Sequence, residues 1–266
     1  MPEASLQDVE AVRVAIFVMA GLAIGSFLTV VSYRLPRRQS VVKPRSACPG
    51  CGKTIRSRDN VPVVSYLLLR GRCRGCGVRI SLLYPLTEAL TGGLFAAAAL
   101  TFDRTLVAAM VAVFLGVVLA AAVIDARHRI IPNRLVYAGL IGFSVVLVAG
   151  RLAGQGTDPF GAAAGFLAFG GGLLVVALIS PRGMGMGDVK LAALIGLVLG
   201  SLGMRYVAVA AGAAILAGGL GAVVVLLAGR GGRKQAIPFG PYLAAGAVVS
   251  TFAAPQIAQA YLHLVG

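Results

Sequence analysis

The chain has 266 residues, of which 58% are hydrophobic and only 12% charged, with a mean hydropathy of +0.90. An ordinary soluble domain carries roughly 25% charged residues, so this composition excludes a soluble enzyme and points to a polytopic membrane protein. The net charge of +15 invites a nucleic-acid reading, but half of the 24 basic residues fall in one loop, so their placement matters more than their sum.

A hydrocarbon core of about 30 Å needs roughly 20 apolar residues as helix. Eight stretches qualify, at 11–33, 82–101, 105–124, 135–150, 161–180, 189–203, 206–228 and 241–264. The expected class is an all-α polytopic membrane protein with about eight transmembrane helices. The fourth and sixth stretches are short, and such spans mark broken helices or segments sheltered inside a bundle. The first run follows Glu3, Asp8 and Glu10 instead of a basic region and is long for a signal sequence, so it is read as a retained helix. The chain then divides into a first helix (11–33), a basic loop (34–81) and a transmembrane core (82–264). Glycine clusters such as Gly170-Gly171-Gly172 and Gly218-Gly219 suit close helix packing.

Lysine and arginine in short loops orient a membrane protein. Twelve lie between Arg34 and Arg79; Arg127, Arg129, Arg134, Arg182, Lys190, Arg230, Arg233 and Lys234 join them on the same side of an eight-span topology. Only Arg13, Arg104, Arg151 and Arg205 fall on the other side. This bias predicts a cytoplasmic 34–81 loop, with both termini outside.

All four cysteines lie in that loop, as Cys48-Pro-Gly-Cys51 and Cys73-Arg-Gly-Cys76, 21 residues apart. Two C-x-x-C knuckles at this separation fit a tetrahedral Cys₄ zinc site, and four thiolates close the shell, which makes the metal structural rather than hydrolytic. Disulfides or a redox pair are the alternatives, and a cytoplasmic setting disfavours stable disulfides. Apart from Tyr66 the loop lacks aromatic interleaving, so its arginines are expected to meet anionic lipid headgroups or an acidic partner, not nucleic acid.

The chain has nine carboxylates. Glu3, Asp8, Glu10, Asp59, Asp103 and Asp158 read as solvated charges, which leaves Glu88 in the second span, Asp125 ending the third and Asp188 opening the sixth. Ionisable groups at membrane depth are costly and mark function by default. Asp188 follows alternating glycines, Gly183-Met-Gly185-Met-Gly187, which can hold an open backbone that admits water. Two carboxylates brought together share a proton, and one can then activate water while the other protonates a peptide carbonyl. The plainer reading has each aspartate capping a helix end beside Arg127 or Arg182. His128 and His263 read as interface residues, no H-E-x-x-H occurs, and Ser26 and Ser65 suit packing and loop structure.

Several segments in this order resemble the type IV prepilin peptidases, bacterial membrane aspartyl proteases of the GxGD type. They are Gly25-Ser-Phe-Leu-Thr-Val-Val-Ser-Tyr-Arg-Leu-Pro36, the knuckles around Asp59-Asn-Val-Pro-Val-Val-Ser-Tyr66, Tyr84-Pro-Leu-Thr-Glu88, Asp125 with Ile131-Pro-Asn133, Gly185-Met-Gly187-Asp188-Val-Lys-Leu191 and Ile237-Pro-Phe-Gly-Pro-Tyr242. Thr29 departs from the pattern, which usually has asparagine there.

The resemblance implies that Asp125 and Asp188 are the catalytic pair, with Gly185 and Gly187 supporting them. They would cut the basic leader of prepilins or pseudopilins of type IV pili or type II secretion, after a glycine and near the cytoplasmic face of the inner membrane. It further implies that Cys48, Cys51, Cys73 and Cys76 bind zinc, and that the loop accompanies N-methylation of the new terminus with S-adenosylmethionine. Asp59 and Glu88 are candidate contacts for the basic leader, and Glu88 equally suits pairing within the bundle. The rival readings are a proton- or ion-coupled secondary transporter and a non-catalytic membrane anchor whose zinc loop binds a partner.

Overall fold

The computed structural model describes residues 6–181, 184–227 and 238–265. Glu3, Arg182, Gly183, Arg230, Arg233, Lys234, Ile237 and the end of the seventh expected span lie outside them. Among the described residues the chain is helical, with no strand and only two isolated β-bridges. The chain separates into two compact units, Met1–Gly116 and Val117–Gly266.

The first unit holds α1 (Leu6–Arg34), a short α2 (Val64–Leu68), α3 (Leu83–Thr101) and the first half of α4 (Thr105–His128). In α1, Gly21 and Gly25 stand one turn apart and let α3 come very close. A Cβ on Gly21 would lie 2.9 Å from the Gly92 Cα, and one on Gly25 would lie 2.8 Å from the Glu88 Cα. Backbone approach of this kind through small residues is how helices associate where lipid supplies no hydrophobic drive. At the opposite end of the pair, Arg13 of α1 donates to the carbonyls of Ala99, Phe102 and Asp103. Its guanidinium thereby satisfies carbonyls that the last turn of α3 leaves without helical partners.

The second unit holds the rest of α4, then α5 (Asn133–Leu152), α6 (Pro159–Gly165), α7 (Gly172–Ile179), α8 (Met186–Gly200), α9 (Met204–Leu227) and α10 (Gly240–Val265). A π-helical stretch, Phe166–Gly171, joins α6 to α7, so the fifth expected span is one apolar run, Pro159–Ile179, with a local change of pitch. Asp158 starts it by accepting the N–H groups of Phe160 and Gly161, with Pro159 following in the first turn.

Seven helices among the described residues are long and apolar enough to cross a membrane. The sixth expected span, 189–203, differs. It forms α8, whose 15 residues rise about 22 Å, short of a hydrocarbon core of about 30 Å. Every residue from Leu191 to Gly200 is buried, as expected of an all-round apolar helix in a protein core or inside a bundle of membrane spans. Its apolar composition fits enclosure by neighbouring helices instead of contact with lipid.

Glycines make this burial possible. Gly161 and Gly165 of α6 meet Gly196 and Gly200 of α8, with backbone against backbone at both crossings. Of the glycine clusters expected to pack closely, Gly170 does so against Ala193 and Gly218 against Phe239, while Gly171, Gly172 and Gly219 face open space. Close backbone-to-backbone packing thus lies in two G-x-x-x-G stretches, 161–165 and 196–200, more than in the triplet.

Candidate active site and metal centre

Within the first unit, the two cysteine knuckles are one local structure used twice, 25 residues apart. The N–H of Cys48 donates to the Lys53 carbonyl, that of Gly52 to Cys48 and that of Ile55 to Ser46. The same three bonds recur from Cys73 to Val78, Gly77 to Cys73 and Ile80 to Gly71. Both turns close through a glycine at positive φ, 68° for Gly52 and 71° for Gly77, where a side chain would be strained. The four Sγ atoms lie within 4.8 Å of one another, and those of Cys48 and Cys76 are 3.7 Å apart. All four cysteines are free. Thiolates about 2.3 Å from a tetrahedral ion stand a little under 4 Å apart, so the set can hold one metal. The N–H groups of Gly75 and Cys76 and the neighbouring Cys48 thiol lower the Cys73 thiol to about 7, while burial and the neighbouring thiols push Cys76 up to about 11, the opposed shifts of clustered thiols that share charge.

Asp59 sits in a 3₁₀ turn, Ser57–Asp59, and holds Arg74 of the second knuckle through Nε and Nη2, with contacts of 2.8–3.1 Å. That guanidinium keeps the Asp59 carboxyl below its ordinary range. Glu88 is buried in α3, and its Oε2 accepts the N–H of Val63 at 2.8 Å, directly before α2. Both carboxylates weighed as leader contacts are engaged with the loop. Ser65 accepts from the Val61 N–H and donates to the Arg58 carbonyl, a loop role as expected.

In the second unit, four motif segments converge. Asp125 lies near the end of α4, which stops at Arg129 (φ 53°), whose N–H returns to the Asp125 carbonyl. The Asp125 carboxylate is 5% exposed and accepts the N–H of Gly240, the first residue of α10, at 2.8 Å. Asp188 is in the first turn of α8, half-buried, and reaches back to accept the Gly185 N–H at 3.3 Å. The two carboxylates are close enough for their charges to act on each other. Among the described residues neither forms an ion pair: Asp125 does not pair with Arg127, while Asp188 does cap the start of α8, and Arg182 lies outside the described residues. Such a pair can divide the work of base and acid on one water molecule.

Each glycine of the site has a steric reason. A Cβ on Gly187 would stand 3.1 Å from the Ile131 Cβ, so Gly187 lets the Ile131-Pro-Asn133 segment seat against the start of α8. A Cβ on Gly185 would stand 3.2 Å from the Asp188 carboxylate, and one on Gly240 would stand 2.8 Å from that of Asp125. Lys190 donates to Asn133 at 3.0 Å and lies 5.4 Å from the Tyr137 ring centre, tying α8 to α5. In the sequence Gly240 and Asn133 had no physical role, and Lys190 only that of an orienting charge. Only their membership of motif segments singled them out.

Comparison with known proteins places two domains along the chain. Residues 19–102 match the bacterial peptidase A24 N-terminal domain, and residues 110–227 match the type IV leader peptidase family. Among similar proteins is a "Prepilin leader peptidase/N-methyltransferase" of Bacillus subtilis (strain 168), 37% identical over 94% of this chain and 98% of its own. The protein of that name from Pseudomonas aeruginosa is 32% identical over 94% of this chain and 93% of its own. A "Type 4 prepilin-like proteins leader peptide-processing enzyme" of Escherichia coli O78:H11 is 34% identical over 88% of this chain and 91% of its own. No solved structure matches the chain. With identity of this order spread over nearly its whole length, the chain belongs to the type IV leader peptidase family.

Proposed function

We propose that this protein is a membrane aspartic endopeptidase that removes the leader of type IV prepilins or pseudopilins and N-methylates the residue so exposed. The observation that carries the peptidase reading is that Asp125 and Asp188, from different helices, stand near enough for their charges to act on each other and, among the described residues, form no ion pair. One carboxylate takes a proton from water, the resulting hydroxide adds to the scissile carbonyl carbon, and the other carboxyl protonates the carbonyl oxygen. Breakdown returns a proton to the leaving amine as the C–N bond breaks. The names of the relatives support leader cleavage and methylation together and do not favour a transporter or anchor.

In this reading the protein is a multi-pass bacterial inner-membrane enzyme. The distribution of basic residues supports a cytoplasmic 34–81 loop and outward termini, with the aspartates near the cytoplasmic face. Zinc fits Cys48, Cys51, Cys73 and Cys76, since four thiolates within 4.8 Å suit its tetrahedral preference. S-adenosylmethionine supplies the methyl group, and the 34–81 region is assigned to that step.

The test is mass spectrometry of a prepilin-like peptide incubated with the full-length protein in proteoliposomes. A single cut after glycine is expected, with a mass gain of one methyl group on the new amine only when S-adenosylmethionine is added. An intact peptide under both conditions would sink the proposal.

Gly240→Ala tests the geometry of the pair. The new methyl would fall on the Asp125 carboxylate, which must move or lose its N–H donor. A displacement of about 1 Å at a reacting group costs about 10²-fold in rate, so cleavage kinetics should show that loss in a protein that remains folded. Wild-type turnover in this variant would mean that Gly240 does not position Asp125.

A further inference from the structure

The second knuckle differs from the first in one respect that its fold does not require. Where the first closes with a bridge between Ala47 and Thr54, the second places Arg72 directly opposite Arg79. Like charges facing each other across such a bridge are destabilising. Both arginines, with Arg70 and Tyr66, line an open groove of about 580 Å³ that ends at Ser81 and Leu82. Among the described residues none of the three guanidinium groups finds a protein acceptor. Arg34, Arg37 and Arg74 of the same loop do, and the loop's other arginines without an acceptor, Arg38, Arg45, Arg56 and Arg58, do not line the groove. The groove thus concentrates unspent donors around a like-charge pair, which is the arrangement an anion relieves.

The surroundings indicate which anion. Leu82 leads straight into α3, one of the spanning helices, so the groove lies at the edge of the apolar layer. Glu88 holds the start of α2 to the second turn of α3, and α2 exposes Leu67 and Leu68 at 67% and 76%. These leucines lie outside every spanning helix, and the transmembrane segments do not account for them. A short apolar face beside arginines is the signature of a segment lying in the headgroup layer.

We infer that the Tyr66–Arg70–Arg72–Arg79 groove binds the phosphate of an anionic phospholipid from the protein's own bilayer, while Leu67 and Leu68 dip among its acyl chains. Three arginines on one phosphate select net-negative lipids over zwitterionic ones, whose amine cancels the charge. The lipid then holds the loop against the membrane surface. This inference stands apart from the peptidase reading, because its test measures no cleavage.

The full-length protein in detergent is titrated with dioctanoyl-phosphatidylglycerol, with dioctanoyl-phosphatidylcholine and with inorganic phosphate, and lipid adducts are quantified by native mass spectrometry. Phosphatidylglycerol should bind selectively. Arg72→Gln with Arg79→Gln should weaken it by about thirtyfold, each arginine near a surface phosphate contributing about fivefold. Leu67→Ser with Leu68→Ser should reduce its affinity toward that of inorganic phosphate. Metal content reports whether the loop has kept its fold, and the Arg72→Lys, Arg79→Lys variant should retain most of the binding if a glutamine variant fails to fold. Unchanged phosphatidylglycerol binding in a folded glutamine variant, or equal loss in the lysine variant, would overturn the site. Inorganic phosphate competing as strongly as phosphatidylglycerol would overturn the lipid assignment.

Discussion

Asp125→Asn and Asp188→Asn are each expected to lower leader cleavage by about 10⁴-fold, the upper end of what a positioned proton-transfer group contributes. Asparagine keeps the size of the side chain and an oxygen that can still accept the Gly240 N–H at position 125 or the Gly185 N–H at position 188. The packing of α4 against the start of α10, and the first turn of α8, therefore survive the change. What disappears is the capacity to take up and release a proton. Single-turnover cleavage, with thermal unfolding measured in parallel, separates the two effects. Methyl transfer to a synthetic peptide that already carries the mature terminus should continue in both variants. If either folded variant cleaves within tenfold of wild type, the assignment of the pair fails.

The second large effect concerns the metal. Replacing any one cysteine, Cys73→Ser for example, should take the metal content from one ion per chain to near zero. The loop should become sensitive to protease, while the spanning helices remain folded. The reason lies in the shared centre: each knuckle supplies two thiolates, so neither can complete a tetrahedral shell alone. Structural zinc in small domains carries about 10–16 kcal/mol of apparent binding free energy, which a loop with no spanning helix and few buried residues cannot replace from its own packing. Elemental analysis and limited proteolysis give the result directly. A Cys73→Ser protein that retains one metal ion, or a metal-free loop that resists protease as well as wild type, would refute the closed four-thiolate centre.

Features set by covalent spacing and by composition were legible in the sequence. Cys48, Cys51, Cys73 and Cys76 lie together because two tight turns leave their thiols little choice of direction, and those turns are written in glycines. Asp125 and Asp188 stood out because carboxylates are few and these two fall at the ends of apolar runs. Features that depend on what a segment packs against were not legible. The 189–203 stretch is equally apolar whether it faces lipid or protein, so only the close crossing of Gly161 and Gly165 with Gly196 and Gly200 reveals α8 as a core helix. Arg13 counted as one charge on the outer side, and nothing in its neighbours foretold that it would bind three carbonyls around residue 100. Glu88 had two readings of equal standing, and the contact with Val63, 25 residues away in the chain, gives it a role in holding the loop.

The burial of α8 bears on when this protein becomes a protease. A helix of about 22 Å that is covered along most of its length gains little from sitting alone in a bilayer. Its stability comes from α6, the π-helical stretch and the neighbouring helices, whose glycines are shaped to receive it. Asp188 rides on the first turn of that helix, and the N–H that orients Asp125 arrives only with α10, near the end of the chain. During synthesis the first carboxylate of the pair is therefore made long before its surroundings exist, and the second is held in place only once later helices have closed around it. On the peptidase reading, hydrolytic competence waits on α10, because the N–H that orients Asp125 is translated 115 residues after the carboxylate it holds.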